Sequence, residues 1–308
     1  MSYASLTRPG DVFCAPMRIE SLDGCFFTHT VDLPVYGTMP GQWDMRGGVE
    51  DCLGFVAMRG KRVLHVGCDS GFLGFEMEKQ GAEVICLDGS AGGSWDIVPF
   101  PQRDGASARQ RLDQHLDAIG RAYWFSHRTL ASRVRLVRGT AYAIPDLIGP
   151  TDIVVLNHAL PRLRDPFRGL HAAARFARET MIVTDATASR RHWLRDLARP
   201  SRLPAFFVPR AHRPEGWGTW WRLSPETVQE ILLRAAGAPA GGMGYVVAPL
   251  SRDRAGNPRD PRLRGIRRAR PPPDPSRRPA PLLHDRRAPD GSDQRRLGHV
   301  TCTRDLHA

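Results

Sequence analysis

"RVLHVGCDSGFLGFEMEKQGAEVICLDG", residues 62–89, is the stretch that decides the fold. "RVLHV" and "AEVICLD" are short, apolar and rich in β-branched residues, as strands are. Between them "GFLGFEMEKQG" carries Phe72, Phe75 and Met77 at near-helical spacing, with Gly81 as the stop. The stretch therefore reads as strand, glycine turn, helix and second strand.

The same alternation continues outward to about residue 188. Leu112, Leu116, Ile119 and Tyr123 recur at helical spacing in "QRLDQHLDAIGRAYW". "VRLVRG", "DIVVLNHAL" and "TMIVTDA" are further strands. "DPFRGLHAAARFARE" is a helix with Asp165 as N-cap and Pro166 at its first position. Later, "SPETVQEILLRAAGA" is a helix capped by Ser224, and "GYVVAPL" is another strand. Such alternation predicts a mostly parallel sheet covered by helices.

Three regions follow from composition. Residues 1–58 form an N-terminal leader or cap, with aromatic and turn residues and no long periodic segment. Residues 59–250 form the sheet domain. Residues 251–308 are an Arg/Pro-rich tail with little to bury, expected to be mostly disordered, with one further strand expected in "RLRGIRRAR". The tail holds 15 Arg and 7 Asp, which is +8 of the chain's net +12. The body is thus only mildly basic, which argues against a large nucleic-acid surface on it.

No apolar run approaches the roughly 18–20 residues of a membrane span. The first residues lack the pattern of a secretory signal. The six cysteines contain no CxxC pair, so no metal is expected and the thiols are expected to be free. These features predict a cytoplasmic protein without a membrane partner.

The turn is Gly67-Cys-Asp-Ser-Gly71-Phe-Leu-Gly74. Glycines there allow a sharp turn and close approach of a ligand, at the positive end of the following helix. Asp88 ends the second strand, where a carboxylate can accept bonds from ribose hydroxyls. A dinucleotide fingerprint would need glycine at position 69, where this chain has Asp69. A carboxylate there repels a pyrophosphate but suits an amino group and a positive centre. S-adenosylmethionine has both and no phosphate, so the chemistry favours it over NAD.

These residues resemble the first two motifs of class I S-adenosylmethionine-dependent methyltransferases. "HTVDLPVYGTMPGQWDMRG", "SWDIVPF", "DIVVLNHALPRLRDP" and "TWWRLSPETVQEIL" extend the resemblance to a narrower group, similar to tRNA wobble-uridine (5-carboxymethoxyuridine) methyltransferases, over about residues 26–250. The resemblance implies an α/β, Rossmann-like sheet of seven strands, six parallel and one antiparallel, with helices on both faces. It implies S-adenosyl-L-methionine as cofactor, with Gly67, Asp69 and Gly71 around the methionine part, Asp88 on the ribose, and Trp95 and Asp96 near the adenine. His65 stands at an amino-group position that is usually acidic. Arg162 stands where the group usually has histidine.

Methyl transfer draws much of its rate from positioning, and a base is needed only where the acceptor must lose a proton. His158, at the end of the fourth strand of the alternation, is the candidate base. His29 in the leader and the Trp220, Trp221 and Arg222 cluster are candidate substrate contacts, with Tyr36, Trp43 and Arg46 behind them. The reading is methylation of a small-molecule oxygen or nitrogen acceptor. The alternatives are a tRNA methyl or carboxymethyl transferase, and a degenerate cofactor-fold protein without catalysis.

Overall fold

The computed structural model describes residues 12–89, 96–98, 105–186, 205–209, 218–235, 244–250 and 300–302. In chain order the leader contributes β1 (Val31–Leu33), β2 (Gly37–Met39) and the one-turn helix α1 (Val49–Cys52). The central part is β3 (Arg62–Val66), α2 (Phe72–Lys79), β4 (Glu83–Asp88), α3 (Gly105–Thr129), β5 (Arg135–Arg138), β6 (Thr151–Asn157), α4 (Pro166–Ala174) and β7 (Ala177–Ala186). The remainder is β8 (Ala205–Phe207), β9 (Trp221–Leu223), α5 (Pro225–Ala235), β10 (Gly244–Leu250) and β11 (Val300–Cys302).

Seven strands form one sheet in the order β11-β10-β7-β6-β3-β4-β5. All neighbours pair in parallel except β10 and β11. This is a Rossmann-like α/β sheet. Its antiparallel edge strand is cut from the 251–308 stretch, by residues 300–302. The strand expected in "RLRGIRRAR" lies outside the described residues.

Strand alternation builds two cores. Val63, Val84, Cys86, Val155 and Ile182 point to one face, which α2, α3 and the leader cover. Leu64, Ile85, Leu87, Val154 and Met181 point to the other, which α4 and α5 cover. Because the leader lies over α2 as well as the sheet, α2 is buried nearly all round, with Phe72, Leu73, Phe75 and Met77 inside. The helical spacing read in α3 is the spacing that packs, since Leu112, Leu116, Ile119 and Tyr123 are all buried.

Both expected caps form. Asp165 accepts from the Arg168 amide at 2.9 Å, and Ser224 from the Thr227 amide at 3.1 Å. The α4 helix stops earlier than its sequence suggests. Phe176 accepts from the Thr151 amide at 2.7 Å and Ala177 pairs with Thr151, which draws the chain into β7.

Candidate active site

Strand β3 has β4 on one side and β6 on the other, and the crevice of an open α/β sheet lies above such a switch point. A cleft with roughly 670 Å³ of empty space, partly open to solvent, occupies that place. Its floor is the carboxyl ends of β3, β4, β5 and β6, through Val66, Asp88, Gly139 and Asn157.

The glycine turn forms the near wall. Gly67, Asp69 and Gly71 all have left-handed backbone, with φ of 80°, 51° and 90°. Asp69 donates its amide to Oδ2 of Asp88 at 2.5 Å, and Gly89 donates to Oδ1 at 2.7 Å. Each Asp88 oxygen keeps a lone pair for a ligand hydroxyl. Burial and the Asp69 carboxylate raise the Asp88 carboxyl above its ordinary range, against the opposing pull of Arg138 and the two amides. Asp69, Asp88 and Asp96 lie on the cleft lining against one arginine, Arg162, an acidic balance that disfavours a phosphate.

Asp96 forms the far wall with Tyr142. Oδ2 of Asp96 accepts from the Tyr142 hydroxyl and from the Arg164 amide, the latter at 2.7 Å. The same phenol oxygen accepts from the Asp165 amide at 3.1 Å. Burial first, and then the Asp96 carboxylate, push the Tyr142 phenol up, so it stays a donor.

His158 begins the loop after β6 in a left-handed conformation, φ 52°, a position that costs a non-glycine residue. Its amide donates to Thr184 at 2.9 Å. Nδ1 of His158 lies 3.4 Å from Oδ1 of Asp185, and both side chains are largely buried.

The leader arrives over this end. The Thr28 amide donates to the Ser70 hydroxyl of the glycine turn at 3.2 Å. The Thr184 hydroxyl donates to the Cys52 carbonyl at 2.6 Å. Residues 41–43 press onto 28–30, with Thr30 donating to Trp43 at 2.8 Å. Gly41 permits this, since a β-carbon there would stand 2.2 Å from the His29 backbone. The Trp43 ring sits 5.8 Å from His29 and 6.0 Å from His158.

His29 is buried, and neither ring nitrogen has a partner among the described residues. Burial lowers its pKa to about 4, with Asp69 opposing and His158, His65 and Arg162 assisting. The ring is therefore neutral at pH 7, with one donor and one acceptor unpaired. Leaving such groups buried costs roughly 1–3 kcal/mol each.

Of the residues singled out from sequence, Gly67, Asp69, Asp88, Asp96, His158 and Arg162 line the cleft. Gly71 does not line it. Its α-carbon faces the Phe75 and Tyr123 rings, where a β-carbon would stand at 2.6 and 2.7 Å, so packing is its reason. His65 is buried in the sheet beside Cys86 and also lies off the cleft. His29 lies behind the lining, next to Phe72 at the start of α2. Trp95 lies outside the described residues.

Trp220, Trp221 and Arg222 are not on the cleft. Trp220 donates its indole N–H to the Asp96 carbonyl at 2.7 Å and carries Arg164 over its ring, while Trp221 donates to the Arg164 carbonyl at 2.9 Å. The pair braces the far wall, and Arg222 is exposed. Arg46 ties Asp44 and Asp32 together within the leader, at 2.6 and 2.8 Å. Sequence reading missed Tyr142, Asn157 and Asp185. The available signal was position, since all three stand at or just after strand ends of one sheet edge.

No protein-family model matches the chain, and no curated protein is significantly similar to it. Solved structures do align. One is magnesium protoporphyrin IX methyltransferase from Synechocystis PCC 6803 with bound S-adenosylhomocysteine, at 14% identity over 64% of this chain and 70% of that one, TM-score 0.39. Another is the N-terminal domain of EvdMO1 in the presence of S-adenosylhomocysteine and D-fucose, at 14% identity over 70% and 82%, TM-score 0.38. A third is a possible histamine N-methyltransferase from Thermotoga maritima, at 13% identity over 61% and 68%, TM-score 0.33. At these scores the fold rests on the chain's own strand order.

Among the described residues no group of His, Cys, Asp or Glu is arranged to hold a metal ion. No described helix is long and apolar enough to cross a membrane.

Proposed function

We propose that the protein is an S-adenosylmethionine-dependent methyltransferase acting on a small-molecule acceptor. The observation that carries the reading is Asp88. Its carboxylate ends β4, is held by two main-chain amides, and stands beside an acidic glycine turn.

The residues present fit this cofactor. Asp88 would accept from its ribose hydroxyls, Gly67 and Asp69 would flank the amino-acid end, and Asp96 with Tyr142 would bound the base. When bound, the cofactor supplies a methyl group activated by a sulfonium. The chain's part is to orient the acceptor, to exclude water beneath the leader, and to hold a proton at His158. The mildly basic body favours a small acceptor over tRNA.

Mass spectrometry of the purified protein should find S-adenosylhomocysteine, and calorimetry should show it binding. Asp88→Ala should weaken that binding by about 1.5–3 kcal/mol, the range for hydrogen bonds to a charged group. Unchanged affinity in a folded variant, or binding of NAD instead, overturns the reading. The carboxylated analogue in the purified protein would move the acceptor toward tRNA.

A further inference from the structure

We infer that Arg138 is a positioning residue of the cofactor site: from β5, at the end of the sheet, it holds the Asp88–Gly89 corner and sets a positive charge against the Asp88 carboxylate. The inference rests on the cofactor reading above and adds a residue that serves the cleft from outside its lining.

Three observations converge. The first is register. β4 and β5 run parallel, and Asp88 stands opposite Arg138 at the carboxyl end of both strands. The preceding pair, Leu87 with Val137, is buried, so Asp88 and Arg138 meet where the apolar sheet gives way to the cleft. The second is the grip on the corner. Nη1 of Arg138 donates to the Gly89 carbonyl at 2.5 Å, and the Gly139 amide donates to the Asp88 carbonyl at 3.0 Å. The Gly89 amide in turn donates to Oδ1 of Asp88 at 2.7 Å. Arg138 therefore fixes the peptide that fixes the carboxylate. The third is Gly120, inside α3. A β-carbon there would stand 3.1 Å from Nη2 of Arg138. Glycine inside a helix is destabilising relative to alanine, and here it leaves the guanidinium its path.

Charge gives the corner a need for a cation. Ribose hydroxyls donate, and an ionised carboxylate accepts from them more strongly than a protonated one. Burial of Asp88 and the nearby Asp69 carboxylate both disfavour the ionised form, and Arg138 opposes them. Cys68 and Cys86 also face Asp88, and Asp117 of α3 faces Arg138. These groups are common to every variant compared below. Affinity that depends on ionised Asp88 is present above the pKa of its carboxyl and is lost as pH falls through it. Removing Arg138 raises that pKa further, so the loss begins at higher pH.

The test uses the full chain and S-adenosylhomocysteine, titrated by calorimetry from about pH 5 to about pH 8. Arg138→Gln should weaken binding by about tenfold or more near pH 6, with the loss shrinking toward pH 8, so that the pH of half-loss moves upward. Arg138→Lys keeps the charge without the fork and should recover most of the acid-side loss. In an Asp88→Ala background, adding Arg138→Gln should change affinity by less than about twofold, because Arg138 acts through Asp88. Should Arg138→Gln fail to fold, Gly120→Leu, which crowds the guanidinium from α3, reads the same acid-side loss. Unchanged affinity in Arg138→Gln, a loss that is equal at every pH and equal in Arg138→Lys, or a full further loss in the Asp88→Ala background overturns the inference while the cofactor reading stands. Failure of the parent to bind S-adenosylhomocysteine removes both.

Discussion

The indole N–H of Trp220 donates to the main-chain oxygen of Asp96 across 2.7 Å, so an aromatic side chain some 120 positions away sets one wall of the cleft. Trp220 is itself fixed by its amide, which donates to Pro161 at 2.7 Å. Trp220→Phe keeps an aromatic ring but loses the bond and part of the indole's buried volume. Stability should fall by at least about 0.5–1.5 kcal/mol in urea melts. S-adenosylhomocysteine affinity should fall with it, by up to about tenfold. If affinity held while stability fell, Trp220 would brace the fold but not the wall.

Gly71→Ala tests the turn. The variant must hold alanine at φ 90° and fit a methyl within 2.7 Å of two rings. Strained backbone and overpacking together should cost about 2–5 kcal/mol. A variant as stable as the parent would show that the Phe75 and Tyr123 rings move aside freely.

The pH dependence of stability should carry the signature of His29. Its folded pKa, about 4, lies below the unfolded value near 6.5. The unfolded chain therefore binds the extra proton. The contribution is complete above about pH 6.5 and is lost as pH falls toward 4, at about 1.4 kcal/mol per pH unit between. Between pH 7 and pH 5 the parent should lose about 2 kcal/mol more than His29→Phe. Parallel losses in the two proteins would place the His29 titration at its ordinary range.

A chain ending at Leu250 lacks β11 but keeps the strands whose ends form the cleft. It should bind S-adenosylhomocysteine with the affinity of the full chain. Melting should move down by a few degrees, as loss of an edge strand removes only local pairing. Loss of binding would tie the edge at β11 to a site on the other half of the sheet.

The sheet was legible because each strand is a short apolar run between turn signals, and because the pattern that alternates in β3 and β4 is the one that divides the two cores. Gly67, Asp69, Asp88 and His158 were legible for a related reason: they sit where local grammar puts a ligand, at a turn or a strand end. Trp220 and Trp221 were misread because a Trp-Trp-Arg run shows only that something large is buried or stacked. Which of these it is depends on Asp96 and Arg164, far away in the chain. His29 and Trp43 show the opposite difficulty. Nothing local to "FFTHTVDL" says that it will lie on Ser70, or that Gly41 will let Trp43 reach His158.

The bond from Thr184 to Cys52 joins residues 132 positions apart. Contacts of that span form late, because the loop they close must be ordered before they repay it. During synthesis the leader emerges first, and Val31, Leu33, Met45 and Leu53 then have no sheet to bury against. The surfaces that cover them come from segments made later, from Phe72 and Leu73 of α2 to Ile182 of β7. The leader is thus made before the surface it packs on, and hydrogen exchange at the Thr28 amide should outpace exchange within β3 and β6.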